Sequence, residues 1–215
     1  MSLGTRARIR RDGLIIVVSL VVFGVSAAIS SDGRVGSVER FFFRLINDRP
    51  GWLRPGMQFA QYAGVLVVPL IAAAIAAAFR KWRLAIALVI ALPLKMLAER
   101  IAKHLVIRQR PGSTEPHFIL RGVPAHGQSF TSGHAFVAFV IAGLLMFVLP
   151  KRWAIVALVG AALVCIARVY LGAHNPLDVV GGAALGMATA ALLDIALDVG
   201  RVDAPTPASA ARPRS

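Results

Sequence analysis

HAFVAFVIAGLLMFVLPKRWAIVALVGAALVCIARVYLGAHNPLDVVGGAALGMATAALLDIALDV, residues 134–199, decides the fold class. It holds three apolar runs: His134 to Leu149, Trp153 to Leu171 and Pro176 to Val199. Only a basic break at Lys151-Arg152 and a short polar turn at 172–175 separate them. Roughly 18–20 apolar residues cross a bilayer as a helix. The first run is short for a crossing and extends toward Ser132. Breaks this tight leave room only for helices that reverse direction, so the segment reads as three successive membrane spans.

Working outward, three more apolar runs precede it, at about Leu14 to Ser30, Met57 to Phe79 and Leu84 to Ile101. The chain has 215 residues, 57% hydrophobic and only 16% charged, with a mean hydropathy of +0.71. A soluble domain carries more charge and shorter apolar runs. The expectation is an all-α polytopic membrane protein, a six-helix transmembrane bundle formed by one domain over residues 1–200. Residues 201–215 are rich in Pro, Ala and Ser and read as a disordered cytoplasmic tail. Residues 38–55 alternate aromatics with arginines and read as a segment lying in the head-group layer. The first span has a second reading, as a signal peptide cleaved after Val25-Ser26-Ala27. Cys165 lies in an apolar run without a cysteine partner and reads as a small buried hydrophobe.

A net charge of +14 would suggest nucleic acid in a soluble protein. Here the basic residues punctuate apolar segments, so the natural counter-charge is anionic lipid head groups or a phosphorylated lipid, not nucleic acid. Arg6, Arg8, Arg10 and Arg11, then Arg80, Lys81 and Arg83, then Lys151 and Arg152, then Arg201, Arg212 and Arg214 all fall on one face if the spans alternate. The positive-inside rule makes that face cytoplasmic, with both termini.

The opposite, extracytoplasmic face then gathers three short clusters: KHLVIRQRP at 103–111, TSGH at 131–134 and RVYLGAHNPLD at 168–178. Two crossings bring His134 and His174 to the same depth. Lys103 and Arg110 are seven apart and share a face if the helix continues, with Pro111 ending it. Arginine forks and a lysine point charge suit phosphate oxygens. Thr131, Ser132 and Gly133 precede a helix whose cap and free amides form an anion site. Asn175-Pro176 starts another helix, leaving Asp178 to accept one imidazole N–H of His174 and free the other nitrogen to attack.

Each piece also has a plain structural reading. Lys103, Arg108 and Arg110 can anchor a helix end, His174 with Asp178 can be a cap, and Arg168 can snorkel to the interface. Their joint placement at one depth favours a site. Lys95 and Glu99 form an intramembrane ion pair, and Glu99 tethers Lys103 from behind. His104, His117 and His126 read as facing solvent. The outer loops offer few carboxylates besides Asp178, so no metal and no cofactor is expected.

These clusters resemble the signature of the type 2 phosphatidic acid phosphatase superfamily, membrane lipid phosphatases related to undecaprenyl-diphosphatases and vanadium haloperoxidases. That signature is K-x6-RP, then PSGH, then SR-x5-H-x3-D. The chain carries Lys103-x6-Arg110-Pro111, then Thr131-Ser132-Gly133-His134, then Ala167-Arg168-x5-His174-x3-Asp178. Thr131 stands for the family's proline and Ala167 for its serine, which removes a phosphate hydrogen bond. The resemblance implies a metal-independent hydrolase. In it His174 attacks phosphorus to form a phosphohistidine, Asp178 orients His174, and His134 protonates the leaving oxygen. Lys103, Arg110, Arg168, Ser132 and Gly133 hold the phosphoryl oxygens. The expected substrate is a lipid-linked phosphate, with a polyprenyl diphosphate ahead of phosphatidate or phosphatidylglycerol phosphate. Phosphotransfer and a non-catalytic lipid-binding role are the alternatives.

Overall fold

The computed structural model describes residues 3–200, and the tail expected at 201–215 lies outside them. The described residues fold into helices α1 (Leu3–Ser30), α2 (Ser37–Asn47), α3 (Arg54–Gln61), α4 (Val67–Ala78), α5 (Trp82–Leu105), α6 (Pro111–Thr114), α7 (Gly133–Val148), α8 (Lys151–Tyr170) and α9 (Pro176–Leu197). No strand forms among them. Only an isolated antiparallel bridge joins Gln109 to Gln128.

α9 is the central post, packed by α1 and α7, with α8 outside α7 and α4 against α5. Small residues make this possible. A Cβ on Gly182 would lie 2.4 Å from the Ser132 carbonyl oxygen, so glycine there lets α9 press on the start of α7. Ala87, Leu88, Phe136, Leu144, Ala190 and Ala191 fill the buried seam between α5, α7 and α9.

α1, α8 and α9 are long and apolar enough to cross a membrane. The other three expected spans do not have both features. Met57 to Phe79 is not one helix: the limb Gly51–Gly64, which contains α3, and α4 are bent by 63° across a break at 65–66. Val65 is extended there, with ψ of 155°, which interrupts the helical ladder. α5 is continuous, but Lys95, Glu99 and Arg100 interrupt its apolar run. α7 has 16 residues, one turn short of a full crossing.

α2 forms where an interfacial segment is expected. It buries Glu39, Phe43 and Asn47 and exposes Val38, Phe41, Phe42 and Leu45. Its far end clamps the loop before α7. The Asn47 amide donates to the carbonyls of Ile119 and Tyr170, each at 3.0 Å, and accepts from the Ile119 amide at 2.7 Å. Arg121 lies over the Tyr170 ring at 4.0 Å and donates to the Arg49 carbonyl.

The ends of α9 carry different chemistry. Asp194, near its C-terminal end, is met by Arg11 at 3.2 Å and by Arg8 at 3.6 Å. Arg83 donates to the Asp198 carbonyl nearby. Asp178 lies in the first turn, about 24 Å away at 1.5 Å per residue. The fold thus separates a structural ionic cluster from the cluster described next.

Candidate active site

Asp178 is the third residue of α9, and its Oδ2 accepts from the backbone amide of Asn175 at 2.8 Å. The same carboxylate, fully buried, takes two more donors. Arg108 Nη1 lies 3.3 Å from Oδ1, and the Ser129 hydroxyl donates to Oδ2. Ser129 Oγ also lies 3.2 Å from His174 Nδ1. The separation between His174 Nδ1 and Asp178 Oδ2 is 3.9 Å, an ionic contact rather than a hydrogen bond. The direct imidazole–carboxylate bond expected from the spacing is therefore routed through a serine. A hydroxyl has one proton, and an ionised carboxylate only accepts. Ser129 gives its proton to Asp178 and accepts from His174 Nδ1–H, which leaves the lone pair of Nε2 free.

Lys103 and Arg110 do not share a helix. α5 ends at Leu105, and Arg110 is extended, with φ of −70° and ψ of 164°, as a residue before proline prefers. Pro111 starts α6 instead of ending α5. Residues 108–110 run against 127–129, with the Arg110 amide on the Gly127 carbonyl and the Ser129 amide on the Arg108 carbonyl. This pairing delivers Arg110 and Ser129 together. Arg110 Nη1 also donates to the Pro124 carbonyl at 3.1 Å. Glu99 pairs with Lys95 and, at 2.6 Å, with Lys103. Arg168, in the last turn of α8 and 5% exposed, donates to Gln61 Oε1 at the end of α3.

One cavity of about 380 Å³ brings these groups together. Lys95, Glu99, Lys103, Arg110, Thr131, Gly133, His134, Arg168 and His174 all contribute to its wall. The α3–α4 break closes it: a Cβ on Gly64 would fall 2.7 Å from the His134 carbonyl oxygen, so only glycine lets the break lie against α7. Among the described residues no protein acceptor takes the amides of Gly133 and His134 at the α7 N-terminus, which leaves them free to donate to an anion. Ser132 takes the capping role expected of it. It is buried, caps α7 through Ala135, and does not line the cavity. Ala167 is buried as well and lies off the cavity wall.

Burial holds the His174 imidazole below its usual pKa of 6.5, and the cations Arg168 and Arg110 add to the effect against Asp178. Burial also lowers Arg110. His104, His117 and His126 are exposed and stand apart from the cavity wall. Among the described residues no three His, Cys, Asp or Glu side chains gather as a metal-ligand set.

Four residues that matter here carry no motif signal. Arg108 sits two positions before the signature arginine, Ser129 three before Ser132, and Glu39 and Gln61 lie far upstream. Ser129→Ala is expected to leave the His174 Nδ1–H without its acceptor, at about 1–3 kcal/mol, which is roughly five- to 160-fold in kcat. The pH profile checks it. The acid limb of wild-type kcat/KM should lie below pH 6.5, because the buried imidazole stays neutral there. Ser129→Ala should move that limb as well as lower kcat; a change in KM alone would contradict the tautomer argument.

Comparison with known proteins gives the following. A model described as the PAP2 superfamily matches residues 80–197. Undecaprenyl-diphosphatase of Sulfolobus acidocaldarius is 33% identical over 108 residues, which are 50% of this chain and 52% of that protein. Lipid A 4'-phosphatase of Bacteroides thetaiotaomicron is 32% identical over 116 residues, which are 49% and 52%. The chain thus spans about half the length of these curated relatives. The crystal structure of Aquifex aeolicus LpxE superposes with a TM-score of 0.67 at 27% identity, covering 74% of this chain and 95% of that one. A transmembrane PAP2 type phosphatidylglycerolphosphate phosphatase from Bacillus subtilis shares the fold, with a TM-score of 0.64 at 24% identity over 83% and 94% of the two chains.

Proposed function

The chain belongs to the PAP2 superfamily of membrane phosphatases, and from that premise we propose that it hydrolyses a lipid-linked diphosphate, a polyprenyl diphosphate first, without a metal. The observation that carries this reading is the cavity wall. It sets Lys95, Lys103, Arg110 and Arg168 against the single carboxylate Glu99, around two histidines. Such a surplus of positive charge suits a polyanionic head group.

The chemistry uses this chain's own groups. His174 Nε2 attacks the terminal phosphorus, and the bond from that phosphorus to the bridging oxygen breaks. The electron pair goes to the bridging oxygen, which takes a proton from His134. Asp178, through Ser129, stabilises the imidazolium that forms. Lys103, Arg110, Arg168 and the Gly133 amide hold the equatorial oxygens where charge gathers. Water then cleaves the P–N bond, giving inorganic phosphate and returning His174. Ser132 supports this as the cap of α7.

The membrane arrangement follows from the same reading. α1, the bent pair α3–α4, α5, α7, α8 and α9 make six crossings of one domain over 1–200. Charge bias puts the termini in the cytoplasm and the cavity at the outer leaflet. α2 lies along the interface with Phe41 and Phe42 toward lipid.

The test is phosphate release by the purified protein from polyprenyl diphosphate in mixed micelles, with excess chelator present. Release should persist. Release that stops on chelation overturns the metal-free mechanism, and faster release from phosphatidate or phosphatidylglycerol phosphate moves the substrate to glycerophospholipids.

A further inference from the structure

Lys95 lies on α5 two turns deeper than Lys103, about 12 Å along the helix axis. It is 9% exposed. Its carboxylate partner Glu99 is shared, because Glu99 also holds Lys103. One carboxylate between two ammonium groups leaves a net positive charge in a buried wall. Such charge is costly inside a membrane unless a ligand completes it. An ammonium has three donor hydrogens. Among the described residues, the other acceptor near Lys95 Nζ is Met96 Sδ, at a weak 4.0 Å.

The direction in which Lys95 points gives the spare charge a meaning. The Cβ position of Gly133 lies 2.9 Å from Lys95 Cε and 3.0 Å from its Nζ. Gly133 directly precedes His134, and Lys95 is among the cations whose field reaches the His134 ring, so Lys95 stands on the His134 side of the cavity. In the mechanism above, that is the side of the leaving oxygen. A lipid monophosphate leaves as a neutral alcohol and brings no anion there. A lipid diphosphate leaves as a lipid monophosphate, whose charge grows as the bridging oxygen takes up the electron pair.

We propose that Lys95 binds the leaving phosphate of a lipid diphosphate and so determines the preference for diphosphates over monophosphates. This rests on the assignment of His174 as nucleophile and His134 as acid. Lys95 forms no bond to phosphorus. It offers positive charge that is stronger in the transition state than in the ground state, which raises kcat for that substrate class.

The experiment compares kcat/KM for a polyprenyl diphosphate and a polyprenyl monophosphate with the same tail, in the same detergent, for wild type, Lys95→Met and Lys95→Arg. Lys95→Met should lower the diphosphate-to-monophosphate ratio about tenfold or more, the range expected for a hydrogen bond to a charged group. Lys95→Arg should restore most of the ratio, because it restores the charge and folds around Glu99. Equal losses on both substrates in Lys95→Met, or no recovery in Lys95→Arg, overturn the assignment and leave Lys95 as a structural ion pair. Wild-type protein that cleaves neither substrate overturns the underlying function as well.

Discussion

His174→Ala is expected to abolish phosphate release, with kcat falling by about 10⁴-fold or more, as when a nucleophile is removed from a catalytic unit. His174 is 4% exposed, and its ring touches the cavity on one side and Ser129 on the other. Its backbone sits in the turn between Tyr170 and Pro176, held by the Ala173 amide on the Arg168 carbonyl. An alanine keeps that turn and leaves a small void, so the protein should still fold. The Arg108–Asp178–Ser129 network remains internally bonded without the ring. Thermal unfolding in detergent should therefore move little while turnover disappears. Turnover that survives the substitution would take the nucleophile away from His174. An unfolding midpoint that collapses with activity would make the ring a packing element first.

The sequence carries the cavity wall better than its support. Lys103, Arg110, His134, Arg168 and His174 are 71 residues apart at the extremes, yet line one cavity. Parity makes this readable, since each crossing returns the chain to a known depth, and internal spacing within each cluster does the rest. What parity cannot supply is the side-chain direction at a helix end. Lys103 and Arg110 share a face only if the helix continues, and the preference of the residue before Pro111 for extended backbone wins over that continuation. That same extended run turns Arg108 inward. A fully buried arginine has no periodic signal in a nine-residue segment, because its partners Glu39 and Ser30 come from chain far upstream. Ser129 is hidden for a similar reason, lying outside any helix and acquiring meaning only from the antiparallel pairing with Arg108. The α3–α4 break is a third case. Hydropathy counts apolar residues and is blind to Gly64, whose lack of a Cβ lets the α3–α4 break lie against His134.

Arg108→Met is expected to cost about 3–5 kcal/mol of stability, the range for breaking a buried ion pair from one side. Arg108 is 0% exposed and serves two buried carboxylates. Nη1 lies 3.0 Å from Glu39 Oε1 and 3.3 Å from Asp178 Oδ1, and Nη2 donates to Glu39 Oε2 and, at 3.1 Å, to the Arg34 carbonyl. Burial works against its charge, but Glu39 and Asp178 outweigh burial and hold the guanidinium above its usual pKa. Methionine fills similar volume, so the loss is electrostatic rather than a cavity. Glu39 would keep one partner, the Leu177 amide at 2.9 Å, while Asp178 would keep Ser129 and Asn175. Glu39→Gln in the Arg108→Met background removes one of the two stranded charges and should recover part of the stability. Chemical denaturation of the two single variants and the double variant forms the cycle that isolates this coupling. The same cycle read in kcat separates scaffold from chemistry: stability should return with Glu39→Gln, but kcat should not, because the carboxylate that steadies His174 still lacks its cation. A double variant as unstable as Arg108→Met alone would place the cost in lost packing around Ser30 and Arg34 instead of in the two carboxylates.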